Sequence, residues 1–257
     1  AGHRERSFGT IKAADGSVLH WEMITPKLEP GKKYPVFFQH YGGPHAQQVS
    51  KAWGGALQQY LVSRGYIWFQ LDNRGSANRG VDFESQIWHA MGSVEVEDQV
   101  AGANYLKSLD YVDPNKVVTY GWSYGGYMTL KLLEKAPGVF AAGVAGAPVT
   151  KWELYDTHYT ERYMGDPNKV PEAYKASDNI GEAAKIADPM LLIHGMADDN
   201  VVFENSTALA ATLQRAEVPF EMMFYPGHTH KVGGPGISVH LWNTILDFLD
   251  RKTGAKR

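Results

Sequence analysis

The segment GWSYG, at positions 121–125, contains the residue best suited to nucleophilic chemistry in this sequence. It matches the pattern Gly-x-Ser-x-Gly, follows an apolar run at 116–120 and precedes a helical run at 127–135. A serine on such a sharp turn between strand and helix exposes its hydroxyl, and the N–H groups at the start of the helix can stabilise an oxyanion. This context predicts that Ser123 is a nucleophile, and the alternative is a structural glycine-rich turn.

Two adjacent carboxylates are candidates for the acid that a serine nucleophile requires. They are Asp198 and Asp199, directly after the apolar run at 189–195. In the strand-and-helix architecture that uses a Gly-x-Ser-x-Gly turn, the acid follows the serine along the chain. We take Asp198 as the acid and keep Asp199 as the alternate. Whichever of the two is not the acid is interpreted as a solvated loop carboxylate. His194, within the apolar run, is interpreted as structural.

Two histidines, His228 and His230, follow the last predicted strand and are candidates for the base. One of them must orient Nδ1 toward the acid and leave Nε2 for the serine hydroxyl. The spacing alone does not separate them. A His-x-His pair also suggests a metal site, but no third ligand is evident in the sequence, so neither a metal nor an organic cofactor is predicted.

Apolar runs alternate with helical patterns from residue 34 onward and must position these groups. Predicted strands lie at 35–39, 66–71, 116–120, 140–146, 189–195 and 219–225, and predicted helices at 52–64, 96–106, 127–135, 207–215 and 241–249. Before them, a hairpin-type turn at Asp15-Gly16 leads into an alternating strand pattern at 17–23. With the serine turn, this alternation predicts the α/β-hydrolase fold, a mostly parallel central sheet with helices on both faces.

Composition limits the classes of protein that this sequence can encode. Its 257 residues are predicted to form one α/β domain, residues 1–257. A net charge of −3 without a dense Lys/Arg run argues against a nucleic-acid surface. The absence of cysteine excludes disulfides and a thiolate nucleophile. The most apolar stretch, 139–149, is too short to span a bilayer, and no signal peptide is recognised, so the compartment is left open.

Seven motifs resemble, in the same order, the catalytic domain of the prolyl oligopeptidase family of serine peptidases, and in particular of its dipeptidyl peptidases. They are YGGP (41–44), DNRGS (72–76), EVEDQV (95–100), GWSYGGY (121–127), WELYD (152–156), YTERYMG (159–165) and LLIHGMADDNV (191–201). The resemblance covers the chain from about Tyr34 onward. Members of this family usually carry a large N-terminal β-propeller, and we expect the 257 residues of this chain not to include it.

The resemblance implies a role for each reacting group. Ser123 matches the family's nucleophile, Asp198 its acid and His230 its base, which decides between the alternatives above. Tyr41 matches a tyrosine whose hydroxyl donates to the oxyanion, and the backbone N–H of Tyr124 is the second donor.

The resemblance also implies a set of substrate-binding positions. The family's pocket for a proline-like side chain matches Tyr124, Val149, Trp152, Tyr155, Tyr159 and Val201. Aromatic faces suit a flat, rigid pyrrolidine ring, and the alternative for these aromatic residues is ordinary core packing. Asn200 matches an amide that holds the preceding substrate carbonyl, and Arg162 lies near that site in the family.

These observations predict a serine peptidase that hydrolyses peptide bonds after proline or alanine through an acyl-enzyme, and that releases N-terminal dipeptides when complete. The alternatives are an esterase or acylaminoacyl-peptidase-like hydrolase, a propeller-less fragment with weak or no activity, and a non-catalytic binding module. The expected partners are peptide substrates, a β-propeller domain and a second copy of the chain in a homodimer. The resemblance is compatible with a periplasmic or secreted protein.

Overall fold

The central element of the structure, a computed structural model that describes residues 2–255, is one mixed β-sheet. Within these residues its strands are Arg6–Lys12 (β1), Val18–Ile24 (β2), Tyr34–His40 (β3), Ile67–Leu71 (β4), Val112–Trp122 (β5), Ala142–Gly146 (β6), Met190–Gly195 (β7) and Glu221–Tyr225 (β8). The strand order is β1-β2-β4-β3-β5-β6-β7-β8. Strand β2 pairs antiparallel with β1 and β4, and the other pairings are parallel.

Helices cover both faces of this sheet. In the described residues they are Ala56–Ser63 (α1), Val81–Glu84 (α2), Val94–Lys107 (α3), Tyr124–Lys135 (α4), Thr157–Met164 (α5), Pro171–Ser177 (α6), Glu204–Arg215 (α7) and Ile237–Thr253 (α8). Helices α3, α4 and α7 contribute to one buried apolar cluster, and α1 and α8 contribute to the other. Helix α8 buries Leu241, Ile245 and Leu249, whose spacing of four places them on one stripe.

Neighbouring residues of the central strands point to opposite faces and therefore join different clusters. Phe37 is buried with Leu61 and Ile245 of α1 and α8, whereas Phe38 is buried with Ala103 and Leu130 of α3 and α4. Burying an apolar side chain of this size contributes about 1.5–3 kcal/mol relative to an exposed one. Strands that are apolar on both sides are typical of a parallel sheet between two helical layers.

The predicted fold class is confirmed, and the differences from the predicted elements lie mostly at their ends. Helix α1 begins at Ala56, later than predicted, because Gly54 and Gly55 precede it and glycine is a poor helix former. Helices α4 and α7 each begin three residues earlier than predicted, at Tyr124 and Glu204. Strand β1 and the short helices α2, α5 and α6 lie outside the predicted elements.

The parallel strands bring four of the predicted site residues to one edge of the sheet. Tyr41 directly follows β3 and Ser123 directly follows β5. Asp198 lies on the loop after β7, and His230 lies on the loop between β8 and α8. Because these strands are parallel, their carboxyl ends meet at the same edge, where such sheets bind ligands.

Candidate active site

Ser123 occupies a strained turn between β5 and α4. Its φ is 63° and its ψ is −117°, a conformation that residues with a Cβ rarely adopt. Its N–H donates to the carbonyl oxygen of Gly146 at 2.9 Å, which ties the turn to β6. A Cβ at Gly121 would overlap the backbone of Gly125, and a Cβ at Gly125 would overlap the carbonyl of His40. Both glycines of the motif are therefore required for the backbone to make this turn.

Two hydrogen-bond donors border the Ser123 turn. The backbone N–H of Tyr124 opens α4, a helix of 12 residues whose free N–H groups carry partial positive charge at this end. The ring of Tyr41 lies 5.8 Å from the ring of Tyr124, centroid to centroid. Burial raises the pKa of Tyr41, and the neighbouring Tyr163 adds to the shift, so the phenol stays protonated and able to donate.

Asp198 and His230 form a direct hydrogen bond. The distance from His230 Nδ1 to Asp198 Oδ2 is 2.8 Å. The other carboxylate oxygen, Oδ1, accepts the backbone N–H groups of Asn200 and Val201, each at 2.9 Å. Because a carboxylate only accepts, the proton on His230 resides on Nδ1 and leaves Nε2 with a lone pair. Asp198 is 6% exposed, whereas Asp199 is exposed to solvent.

The loop that carries His230 is fastened to the Ser123 turn. Trp122, the residue before the serine, donates its Nε1–H to the carbonyl oxygen of His230 at 2.9 Å. The same loop accepts a hydrogen bond at the carbonyl of His228 from the N–H of Ala197. The side chain of His228 packs against Tyr225, with ring centroids 6.1 Å apart. Of the two predicted histidines, the structure pairs His230 with Asp198.

The predicted pocket residues form a compact group of aromatic rings beside this site. Trp152 lies 5.6 Å from Tyr124 and 6.1 Å from Tyr159, measured between ring centroids, and Tyr155 meets Tyr159 edge to face at 5.2 Å. Burial raises the pKa of Tyr155 and of Tyr159, so both hydroxyls stay neutral. Such rings can hold a flat apolar side chain between their faces.

Three other predicted positions lie around these rings. Val149 and Val201 are buried, with 2% and 0% of their surface exposed. The amide of Asn200 accepts a hydrogen bond at Oδ1 from the hydroxyl of Tyr155 at 2.7 Å. This contact orients the amide and leaves its NH₂ group to donate to a bound molecule.

Arg162 is linked to the aromatic group through its neighbour Tyr163. Its guanidinium stands 5.5 Å from the ring centroid of Tyr163, and Tyr163 in turn packs on Tyr159 at 4.8 Å. Arg162 and Tyr163 line a cavity of about 200 Å³ together with His45 and Trp88. Tyr163 therefore contacts both Arg162 and a ring of the predicted pocket.

A buried polar network supports the Tyr41 loop, and its members carry no predicted role in the sequence analysis. Asn73 Nδ2 donates to the carbonyl oxygen of Gly42 at 3.1 Å, and Gln99 Nε2 donates to Asn73 Oδ1 at 2.9 Å. Arg74, 4% exposed, donates to Asp98 at 2.8 Å. These residues belong to the motifs DNRGS and EVEDQV, which the sequence analysis recognised. Their contacts could not be predicted from the sequence, because they join residues more than 20 positions apart.

The described residues contain no group of three or more His, Cys, Asp or Glu side chains that could hold a metal ion. Across the same part of the chain, the helices are too short or too polar to cross a membrane.

A sheet with this strand order and a serine held on this turn places the chain in the α/β-hydrolase class. Residues 54–256 match the Prolyl oligopeptidase family, and the chain belongs to that family. The prediction of a serine peptidase family is thereby confirmed.

Similar proteins include dipeptidyl peptidases. Dipeptidyl peptidase 8 of Homo sapiens is 38% identical over 255 residues, which are 96% of this chain and 28% of that relative. Prolyl endopeptidase FAP of Homo sapiens is 37% identical over 240 residues, 91% of this chain and 31% of that relative. A crystal structure of Porphyromonas gingivalis dipeptidyl peptidase 4 superposes with a TM-score of 0.94 and 34% identity, covering 97% of this chain and 36% of that one. The chain thus spans about a third of the length of these relatives.

Proposed function

We propose that this chain is the catalytic domain of a serine peptidase that cleaves peptide bonds after proline or alanine. The observation that carries the proposal is the hydrogen bond between His230 and Asp198 at the sheet edge where Ser123 sits on its strained turn. The names of the relatives, dipeptidyl peptidases and prolyl endopeptidase, support a peptidase over an esterase. No metal or organic cofactor enters the proposed reaction.

The proposed reaction is acyl transfer in two halves. Ser123 Oγ attacks the scissile carbonyl carbon as its proton passes to His230 Nε2, and Asp198 stabilises the imidazolium. The tetrahedral oxyanion accepts hydrogen bonds from the Tyr124 N–H and the Tyr41 hydroxyl. The C–N bond then breaks, His230 gives its proton to the leaving amine, and water hydrolyses the acyl-enzyme by the same steps.

The aromatic rings provide the proposed selectivity. A pyrrolidine ring would lie among Tyr124, Trp152, Tyr155 and Tyr159, where its flat apolar faces meet flat apolar walls. Asn200, oriented by the Tyr155 hydroxyl, would donate its NH₂ to the preceding substrate carbonyl. We propose that Arg162, which contacts Tyr163, binds the substrate near the same carbonyl as Asn200.

The release of N-terminal dipeptides is proposed for this domain together with the additional length that its relatives have. We expect that length to include the family's β-propeller, and we keep the single domain 1–257 and a homodimer as predictions. Size-exclusion chromatography with light scattering tests the homodimer, for which a dimer mass is expected.

A substrate panel tests the proposed function. One portion of the protein is labelled with a fluorophosphonate, and a separate, unlabelled portion is assayed on Gly-Pro and Ala-Pro anilides, on the same anilides with a blocked amine, and on simple acyl esters. We expect labelling at Ser123 and hydrolysis of the prolyl anilides. Hydrolysis of the esters alone would favour the esterase alternative, and labelling without turnover would favour a fragment that lacks activity by itself. No labelling of the folded protein would favour a binding module.

Changing Asp198 to asparagine should lower kcat on a prolyl anilide by about 10⁴-fold, because an amide in this place favours the wrong tautomer of His230. Asp199→Asn is the matched control, since it removes the adjacent carboxylate, which is exposed. Steady-state kinetics on both variants checks the prediction. An equal loss in the two variants would contradict the assignment of the acid.

Changing Tyr41 to phenylalanine should lower kcat by about 10²–10³-fold with little change in KM, because the lost donor acts mainly on the oxyanion of the transition state. Tyr111→Phe is the control, because its hydroxyl donates to Met23 Sδ at 3.8 Å and lies beside the start of β5, at the end of that strand opposite to Ser123. Kinetics with the prolyl anilide measures both effects. A rise in KM at unchanged kcat would instead indicate that Tyr41 binds the substrate in its ground state.

A further inference from the structure

Two imidazole rings reach the same oxygen of Asp198. His230 Nδ1 lies 2.8 Å from Oδ2, and His194 Nε2 lies 3.1 Å from that atom. His194 is on β7, and none of its surface is exposed, so water does not compete for this contact. The proposed reaction uses His230 and leaves His194 without a part in it.

The partners of His194 fix which of its ring nitrogens carries the proton. The carbonyl oxygen of Val201 lies 2.8 Å from Nε2, and since a carbonyl only accepts, Nε2 donates. Burial lowers the pKa of His194, which keeps the ring neutral, so Nδ1 carries a lone pair. The hydroxyl of Ser206, itself buried, is 2.7 Å from Nδ1 and donates to it.

The proton on His194 Nε2 is consequently shared between Val201 and Asp198. It completes a set of four donors around the carboxylate, because Oδ1 already accepts the N–H groups of Asn200 and Val201, and Oδ2 accepts His230. A carboxylate held at both oxygens cannot rotate without breaking hydrogen bonds to a charged group, which are the strong ones. Without His194, Oδ2 would be held by His230 alone.

We propose that His194 is a positioning residue for Asp198: its Nε2–H, held in this tautomer by Ser206, fixes the carboxylate so that Oδ2 faces His230 Nδ1. This inference rests on the proposed function, in which Asp198 orients the base. His194 acts through Asp198 and is not expected to touch the substrate. Such support matters because small displacements of a reacting group cost large factors in rate.

Three variants and a control test this role. His194→Leu removes the donor and keeps an apolar side chain, His194→Gln keeps a donor, and Ser206→Ala removes the hydroxyl that fixes the tautomer. Tyr66→Phe is the control, because it deletes a buried hydroxyl that donates to another carboxylate, Asp250, at 2.9 Å. This control loses the same kind of bond between α8 and the connection from α1 to β4, away from Asp198.

We expect His194→Leu to lower kcat on a prolyl anilide by about 10–100-fold with KM changed by less than about twofold. His194→Gln should recover most of this loss, and Ser206→Ala should lower kcat by a smaller factor. The far-downfield proton resonance of His230 Nδ1–H, identified by its disappearance in His230→Ala, should move in His194→Leu and in Ser206→Ala. Tyr66→Phe should lower the denaturation midpoint and leave both kcat and the resonance unchanged.

Unchanged kcat and an unmoved resonance in His194→Leu would overturn the proposal, as would an equal loss of kcat in His194→Leu and Tyr66→Phe. If His194→Leu does not fold, Ser206→Ala decides by the same two measurements. The resonance is read without substrate, so it judges the positioning role even if the peptide panel fails. A native protein that neither reacts with a fluorophosphonate nor cleaves anilides overturns the proposed function instead.

Discussion

Replacing Ser123 with alanine should reduce kcat on a prolyl anilide by about 10⁶-fold, the loss typical of a missing triad nucleophile. The reason is that the variant retains the proposed oxyanion donors and the proposed substrate pocket but lacks the atom that is proposed to form the acyl-enzyme. The alanine keeps a Cβ at the same strained φ, so the turn and the fold should persist. Steady-state kinetics measures the loss, and reaction with a fluorophosphonate should be abolished in parallel.

The matched control is Ser108→Ala, an exposed serine at the end of α3 whose hydroxyl donates to the carbonyl oxygen of Tyr105. It should keep wild-type kcat and full labelling. Circular dichroism of both variants separates loss of chemistry from loss of fold. A Ser123→Ala protein that is folded and still hydrolyses the anilide at more than a few per cent of the wild-type rate would rule out this nucleophile.

Replacing His230 with alanine should cost about as much, roughly 10⁶-fold in kcat, because without the proposed base the hydroxyl of Ser123 would keep its proton and the leaving amine would receive none. His228→Ala is the matched control two residues earlier on the same loop. Its ring packs against Tyr225, and its backbone carbonyl, which holds Ala197, is retained in the variant. We expect His228→Ala to keep most of the wild-type kcat.

The pair of histidine variants distinguishes the two candidates that spacing left open. A large loss in His228→Ala together with a small loss in His230→Ala would reverse the assignment of the base. Comparable losses in both would indicate that the loop itself has been disturbed, which a lowered denaturation midpoint in both variants would reveal. Only the predicted asymmetry, with both variants equally stable, supports His230.

The sequence predicts the parts of the fold in which each residue's neighbours along the chain determine its structure. The central strands are apolar on both sides, so runs such as 189–195 identify a parallel sheet without any knowledge of tertiary contacts. Strand β1 is different, since its residues are exposed or half-buried and it depends on pairing with β2. Helices α5 and α6 are short, eight and seven residues, and gain their stability from packing.

The same distinction between local and long-range determinants applies to the residues of the candidate site. Ser123 is predictable because the motif and the elements that flank it are adjacent in sequence. Which of two nearby candidates belongs to the site depends on which side chain the loop turns inward. The spacing does not reveal this for Asp198 and Asp199 or for His230 and His228, and the prediction in each case comes from the resemblance to the family. The contact of His194 with Asp198 spans four residues, but its meaning depends on Ser206 and His230, which only the folded chain brings together.

The residue at the first variable position of Gly-x-Ser-x-Gly, Trp122, contacts two segments that are distant in the sequence. The indole of Trp122 holds the carbonyl of His230, and its ring occupies the space that a Cβ at Gly146 would need. The side chains acceptable at positions 122, 146 and 230 therefore depend on one another, although more than 100 residues separate the first position from the last. A chimera of two related proteins that is joined at a breakpoint between positions 122 and 230 should function only when both parents have the same residues at positions 122, 146 and 230.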